Sequence, residues 1–541
     1  MLSALPSRPL AYHPLHQARR QFRTNTTSRS NKPSLFNRQY KFAICGGGPA
    51  GFYSASRLLS LSDSSNIRVH LFEALPTPFG LSRYGVAPDH PEVKNCEHKF
   101  EEVAQDPRFQ FFGNTRLVGD NDFLREVDVS ESYVSISQLR SNYDAVILAY
   151  GAGLDRDLGG IPGEKELKHV VPARSVVNWY NRYPLPTVDS LEPFVDLSQI
   201  EHVTILGQGN VALDIARILL SSVDSLSKTD ISERALENLS RSKVKRVEIV
   251  GRRGPLQMSC TTKELRELLS LKDVSFDTDE AILSHTIELI RQPQVLDYLH
   301  NARLRRRLLE LMSKAVSSKP IQDRAPRSWS FKFLQSPLAF LPDPTAFFDP
   351  SASGQLVYSV QWEANQLIYS TKTTHTAPHT DLSTAKAIPS NPARRFITQT
   401  DLVIESLGYR SQSIPGIPYD SRQNSVKHVN GRVSDVDGKT MPGLYVAGWL
   451  SRGANGVIAN TMYDAYLTVD KIAEDALNGQ LAPVHQSTHL SSSASTGHPS
   501  HGLSWSQWKK IDVEEIKRGT KVGKVREKIR SVPEMIDIAN R

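Results

Sequence analysis

Two stretches of the chain read as an apolar strand that runs into a glycine turn and then a helix. The run from Lys41 to Cys45 meets Gly46, Gly47, Gly48, Pro49, Ala50 and Gly51, and the helix-like FYSASRLLSL follows. Val203 to Leu206 lead in the same way into Gly207, Gln208, Gly209, Asn210, Val211 and Ala212, then into LDIARILL. Short apolar runs at Val69–Phe72, Ala145–Ala149, Val247–Val250, Leu402–Ile404 and Leu444–Ala447 predict further buried parallel strands. The pattern predicts an α/β chain with two Rossmann-like, three-layer dinucleotide-binding domains. Residues 370–395 are polar and interrupted by proline, and residues 487–502 are rich in Ser, Thr and His and lack Asp, Glu, Lys and Arg, so both are expected to be mobile surface loops. No repeat stands out at a period of 20 to 50 residues.

Composition narrows the classes. At 541 residues the chain has room for about two to four domains. It contains no apolar run near the eighteen or so residues that a spanning helix needs. Cys45, Cys96 and Cys260 form no CxxC pair, which argues against a dithiol redox center and against cysteine-ligated zinc or iron-sulfur sites; no metal site is expected. The net charge of +8 suggests nucleic acid until it is located. Residues 1–41 hold eight bases and no acid, and removing those eight from the 65 bases leaves 57, equal to the 57 acids. The neutral body is not a nucleic-acid binder by charge. The Arg-rich, acid-free leader, residues 1–39, has the pattern of a mitochondrial transit peptide.

Each glycine turn carries its own chemistry. In Gly46-x-Gly48-x-x-Gly51, glycines permit the sharp turn, the approach of backbone to a pyrophosphate, and helix-on-strand packing, while the helix N-terminus faces the phosphates. Glu73 follows 22 residues after Gly51 at the end of VHLF, where a carboxylate accepts hydrogen bonds from an unphosphorylated ribose. In the second unit the equivalent strand, VEIV, ends in Gly251, Arg252 and Arg253, whose guanidinium groups suit a 2'-phosphate. One site for a dinucleotide without the 2'-phosphate and one for NADP(H) is the layout of an FAD protein reduced by NADPH. That hydride transfer needs no metal or general base, because the cofactors carry it.

Longer motifs are more specific. FEALPTPFGLSRYGVAPDHPEVKN (Phe72–Asn95), GQGNVALDIARILL (Gly207–Leu220), GRRGPLQ (Gly251–Gln257) and GLYVAGWLSRGANGVIANTMYDAY (Gly443–Tyr466) closely resemble the adrenodoxin reductase family, the mitochondrial ferredoxin-NADP reductases. The resemblance runs from about residue 40 to the C-terminus. It implies FAD held by the first glycine turn and Glu73, with Ala50, Leu81 and Leu117 lining it, and with Trp449, Gly456, Val457 and Ile458 along the flavin. It further implies NADP contacts at Gln208, Gly209, Asn210, Val211, Arg252, Arg253, Glu264 and Gly456, and an electron or proton path through His90 and Asp214. Taken alone, Trp449 reads as core, Glu264 as a solvated helix acid, Asp214 as a first-turn acid and His90 as a turn residue. The NADP domain is expected to be inserted into the FAD domain, at residues 151–399 between 40–150 and 400–541.

The family's partner is an acidic 2Fe-2S ferredoxin, which a basic patch steers. His300 to Arg307 hold four arginines, and Arg303 and Arg307, one helical turn apart, match family positions that contact ferredoxin. The expected function is NADPH:ferredoxin oxidoreduction in mitochondria, with any contact to the inner membrane peripheral. Two alternatives are another NADPH-dependent flavoprotein and a redox sensor that binds FAD and NADPH without a ferredoxin. One departure stands out: Ser451, Arg452, Gly453, Ala454, Asn455 and Gly456 stand where the family has Lys-Arg-Gly-Pro-Thr-Gly.

Overall fold

The computed structural model describes residues 38–61, 66–120, 131–184, 195–292, 299, 301–317, 325–344, 354–369, 371–373, 378–380, 382–481 and 502–541. The leader up to residue 37, His300 and the polar stretch 487–501 lie outside the described residues.

Two sheets organise the chain. The first runs Phe109–Phe112, Ile67–Phe72, Tyr40–Cys45, Ala145–Leu148, Thr440–Val446, Arg432–Ser434 and His428–Val429 in spatial order. Its strands up to Thr440–Val446 are parallel neighbours, as Phe42 opposite Val69 and Ala145 shows. Side chains alternate across this sheet: Phe42 and Ile44 enter one core with the helices Pro49–Ser60 and Ile458–Leu477, while Ala43 and Cys45 enter the core on the other face. Burial on both faces explains why these strands read as continuous apolar runs rather than alternating ones.

The second sheet runs Val274–Thr278, Arg327–Lys332, Arg246–Val250, His202–Leu206, Leu402–Glu405 and Val170–Pro172, all parallel. Helices cover one face, where Val203, Ile205, Val247 and Ile249 point. The other face, with Leu206, Val250 and Val403, is covered by antiparallel strands: Gln335–Pro342, Val357–Ile368, Lys386–Pro389 and Arg395–Gln399. The expected mobile loop at 370–395 is therefore in part ordered strand, because Lys386–Pro389 completes hydrogen bonding along the end of Val357–Ile368.

The chain enters and leaves the second sheet through one antiparallel ribbon, Leu154–Asp155 against Tyr409–Arg410. Leu402–Glu405 pairs with strands of the second sheet on both sides, so the return crossing follows Glu405, later than the expected boundary at 399/400. The C-terminal helices Trp505–Lys521 and Val532–Asn540 return to the first sheet, burying Trp508, Ile511, Met535 and Ile538.

Candidate functional site

The two glycine turns have the same construction. Gly46 N–H donates to Phe72 O at 2.7 Å, and Gly207 N–H donates to Val250 O at 2.8 Å. Both glycines have left-handed φ, +120° and +118°, and a Cβ would lie 2.4 Å from Ala149 O and 2.2 Å from Ser406 O. The position after each neighbouring strand is thereby equivalent, and the residues there differ: Glu73 in one case, Gly251 leading to Arg252 and Arg253 in the other.

At the first turn Glu73 curls back over the glycines. Its carboxylate accepts from Gly47 N–H at 2.6 Å and from Leu75 N–H at 2.9 Å. Burial pushes its carboxyl upward, opposed by those two hydrogen bonds. Gly51 is forced by packing, since a Cβ would meet Gly46 O at 1.9 Å. Gly48 is different: a Cβ there meets nothing nearer than Gly80 Cα at 3.9 Å, so the space above it is open. This open space sits at the N-terminus of the helix Pro49–Ser60, which no side chain caps. Leu81 follows Gly80 at this opening, and the strand Thr115–Val118 brings Leu117 from Thr115, whose N–H binds Glu73 O at 2.8 Å. Gly448, where a Cβ would strike Ala50 Cβ at 2.7 Å, sets the turn before Trp449 against the same helix start. Trp449 is half-buried and packs on Tyr409 of the crossing ribbon, ring centres 6.1 Å apart.

Gly456 and Val457 are exposed before the helix Ile458–Leu477. The Asn460 Oδ1 atom accepts from Val457 N–H at 3.1 Å. That N–H is thereby satisfied within the chain, because Asn460 stands at the third position of the helix, where its amide reaches back to the residue before the helix start.

Gly209 precedes Asn210–Leu220 without a side-chain cap. Asn210 Oδ1 accepts from Thr261 N–H at 2.8 Å, holding the loop that carries Glu264 against the turn. Gln208 Nε2 and Glu264 Oε2 are buried without a hydrogen-bond partner among the described residues, and Gln208 lies where a Cβ on Gly251 would have to be. Arg252 and Arg253 form no ion pair among the described residues; burial and the charge of Arg252 hold Arg253 below its ordinary value. Two adjacent guanidiniums without a carboxylate are ready for a dianion. Val211 is half-buried in the first turn of the helix.

His90 and Asp214 are brought into one charged cluster whose other members sequence reasoning missed. His90 Nε2 lies 2.6 Å from Glu267 Oε2. Arg217 reaches Asp89 at 2.5 Å, Asp214 at 2.8 Å and Glu267 at 3.8 Å. Burial pushes the Asp214 carboxyl up to about 6, against the pull of Arg217 and His90. Helical spacing was the available signal: Arg217 is three residues beyond Asp214 and Glu267 three beyond Glu264. Arg303 and Arg307 are exposed on the helix Ala302–Ser317, which packs on the helix Thr262–Leu269.

The residues fit two dinucleotides, and comparison with known proteins agrees. A family model described as pyridine nucleotide-disulphide oxidoreductase matches residues 40–282. Mitochondrial NADPH:adrenodoxin oxidoreductase of Salvelinus fontinalis is 39% identical over 508 residues, 92% of this chain and 91% of that protein. The Homo sapiens protein of that name is 38% identical over 534 residues, 95% and 96% of the two chains. The Arabidopsis thaliana one is 36% identical over 500 residues, 92% and 94% of the two. Among solved structures, FprA, a Mycobacterium tuberculosis oxidoreductase, superposes with a TM-score of 0.75 at 32% identity, covering 93% of this chain and all of that one. A structure of FprA in complex with NADPH gives 0.74. With relatives this similar along nearly the whole chain, the protein belongs to the family of mitochondrial NADPH:adrenodoxin oxidoreductases.

Proposed function

We propose that this chain is a mitochondrial flavoenzyme that takes hydride from NADPH onto FAD and passes electrons singly to an adrenodoxin-like 2Fe-2S ferredoxin. The observation that carries the reading is the contrast between equivalent positions: Glu73 beside the first glycine turn, Arg252 and Arg253 beside the second. A carboxylate there repels a 2'-phosphate and a guanidinium pair attracts one, so the two turns take different dinucleotides. FAD, when bound, supplies the two-electron to one-electron conversion.

The chain's own residues bind and orient. Gly46, Gly48, Ala50 and Gly51 leave room for the FAD pyrophosphate at the uncapped helix start, and Glu73 accepts from its ribose. Leu81, Leu117, Trp449, Gly456, Val457 and Ile458 surround the rest of that cofactor. Gly207, Gln208, Gly209, Asn210, Val211 and Glu264 receive NADP(H), Gly456 meets its nicotinamide end, and Arg252 and Arg253 clasp the 2'-phosphate. His90 and Asp214 lie on the electron or proton path between flavin and partner. Arg303 and Arg307 steer the acidic ferredoxin. We assign residues 40–150 and the chain after Glu405 to the FAD unit, and 151–405 to the NADP unit inserted between them. Any contact with the inner membrane is peripheral: among the described residues no helix is long and apolar enough to cross it.

The test is anaerobic titration of the yellow protein with NADPH and with NADH, together with identification of the released flavin. FAD bleached readily by NADPH and poorly by NADH supports the reading; FMN, or equal bleaching by both, overturns it.

A further inference from the structure

The segment Tyr84–Asn95 is stitched to the second unit along its length. Asn181 donates to Tyr84 O and Val86 O, each at 3.1 Å. Asp89 pairs with Arg217, His90 with Glu267, Glu92 with Lys263 at 2.5 Å, and Lys94 with Asp230 at 2.6 Å. The C-terminal tail makes a second set of stitches. Lys524 reaches Glu233 at 2.9 Å and Ile231 O, Glu527 takes Arg182, and Lys528 reaches Asp230 at 2.8 Å. The tail is itself tied to the first unit: Glu515 accepts from Arg83 and, at 3.1 Å, from Arg526.

Asp230 is where the two sets converge. It belongs to the second unit, between the helices Val223–Leu226 and Glu233–Ser240, and is 8% exposed. It receives the Lys94 amine from the segment before Asn95 and the Lys528 amine from the tail, both parts of the first unit; burial lowers Lys528 to about 7, against the pull of Asp230. Burial works against the charge of Asp230, yet Lys528 and Lys94 hold its carboxyl well below the ordinary range. A buried carboxylate held by two lysine side chains tolerates no drift of either, because separation leaves its charge or its hydrogen bonds unpaired in the seam.

We propose that Asp230 is a positioning residue for hydride transfer, the carboxylate on which both sets of cross-seam contacts converge and which helps hold the second unit at one distance and angle from the first. The inference rests on the functional reading above. NADPH bound on the second unit must bring its nicotinamide to a flavin held by the first, and the rate of such a step falls steeply with small misplacement. The crossing ribbon of two-residue strands leaves that distance to be set by side chains across the seam.

Asp230→Asn keeps the shape and removes the charge. The expected result is normal FAD content, an NADPH KM within about twofold of the parent, and NADPH-driven flavin reduction slower by on the order of ten- to a hundredfold. Dithionite-reduced flavin should meanwhile pass electrons to ferricyanide at the parent rate, because that step needs no second unit. A lower melting temperature with NADPH-driven reduction unchanged overturns the proposal, since Asp230 then only stabilises the fold. An equal loss in both half-reactions overturns it too. If Asp230→Asn is not recovered folded, Lys94→Ala, which leaves Asp230 paired with Lys528, decides by the same criteria with a smaller effect. Parent protein that NADPH cannot reduce removes the functional reading and the role of Asp230 with it.

Discussion

His90 Nε2 and Glu267 Oε2 lie 2.6 Å apart although they are 177 positions apart in sequence, one in the segment before Pro91–Asn95 and the other on the helix Thr262–Leu269 of the second unit. The pair ties the segment Tyr84–Asn95 to the second unit. It also shares Glu267 with Arg217, and so with Asp214 and Asp89. We expect the double variant His90→Gln, Glu267→Gln to be less destabilised than the sum of the singles, with a coupling of about 0.5–2 kcal/mol in a double-mutant cycle by thermal unfolding. Strict additivity would show that the two side chains do not interact in solution.

Arg252 and Arg253 should set coenzyme preference. Replacing both with Ala removes charge-assisted bonds worth about 1.5–3 kcal/mol each, so the NADPH KM should rise by on the order of a hundredfold or more while NADH is little affected. Steady-state ferricyanide reduction with each coenzyme measures this. An unchanged ratio of NADPH to NADH would place the 2'-phosphate elsewhere.

Gly48 separates folding from cofactor binding. A side chain there meets no protein atom closer than 3.9 Å at its Cβ, so Gly48→Val should fold and melt as an apoprotein does while losing most of its flavin. The ratio of visible to ultraviolet absorbance reads the outcome. A variant that keeps its flavin would show that the pyrophosphate does not cross this turn.

Asp214 predicts a pH effect with a definite sign. Its carboxyl, normally near 3.8, is pushed up to about 6, so between these values the folded protein holds a proton that the unfolded chain has released. Stability relative to Asp214→Asn should fall as pH rises through that window and level off above it, a change on the order of 2–3 kcal/mol. Melting curves of both proteins at pH 4.5 and 7.5 test it. Parallel shifts would mean that Arg217 keeps Asp214 ionised throughout.

What could be read in advance follows from how local each signal is. The strand, glycine turn and helix at Tyr40–Ser60 and His202–Leu220 use contiguous residues, and Glu73 and Arg252 sit one strand further on, so pattern and spacing reach them. The antiparallel layer over Val250 and Val403 was hidden, because Lys386–Pro389 becomes a strand only against Val357–Ile368. The seam was hidden for a stronger reason. Asp230 looks like a turn acid beside Ser232, and only the fold reveals Lys94 and Lys528 at its oxygens, 136 and 298 positions away. The hydrogen bond from Val457 N–H to Asn460, three residues on, was likewise not singled out by the sequence pattern.

The central claim is that electrons from NADPH leave this protein through a ferredoxin. The most direct measurement is cytochrome c reduction by the purified protein, with NADPH or NADH, with and without a mitochondrial 2Fe-2S ferredoxin, for the parent and for Arg303→Glu, Arg307→Glu. The expected result is a large ferredoxin-dependent rate with NADPH, weak with NADH, suppressed by salt and lowered in the variant while NADPH-driven ferricyanide reduction stays intact. A rate with NADPH that is the same with and without ferredoxin would contradict it.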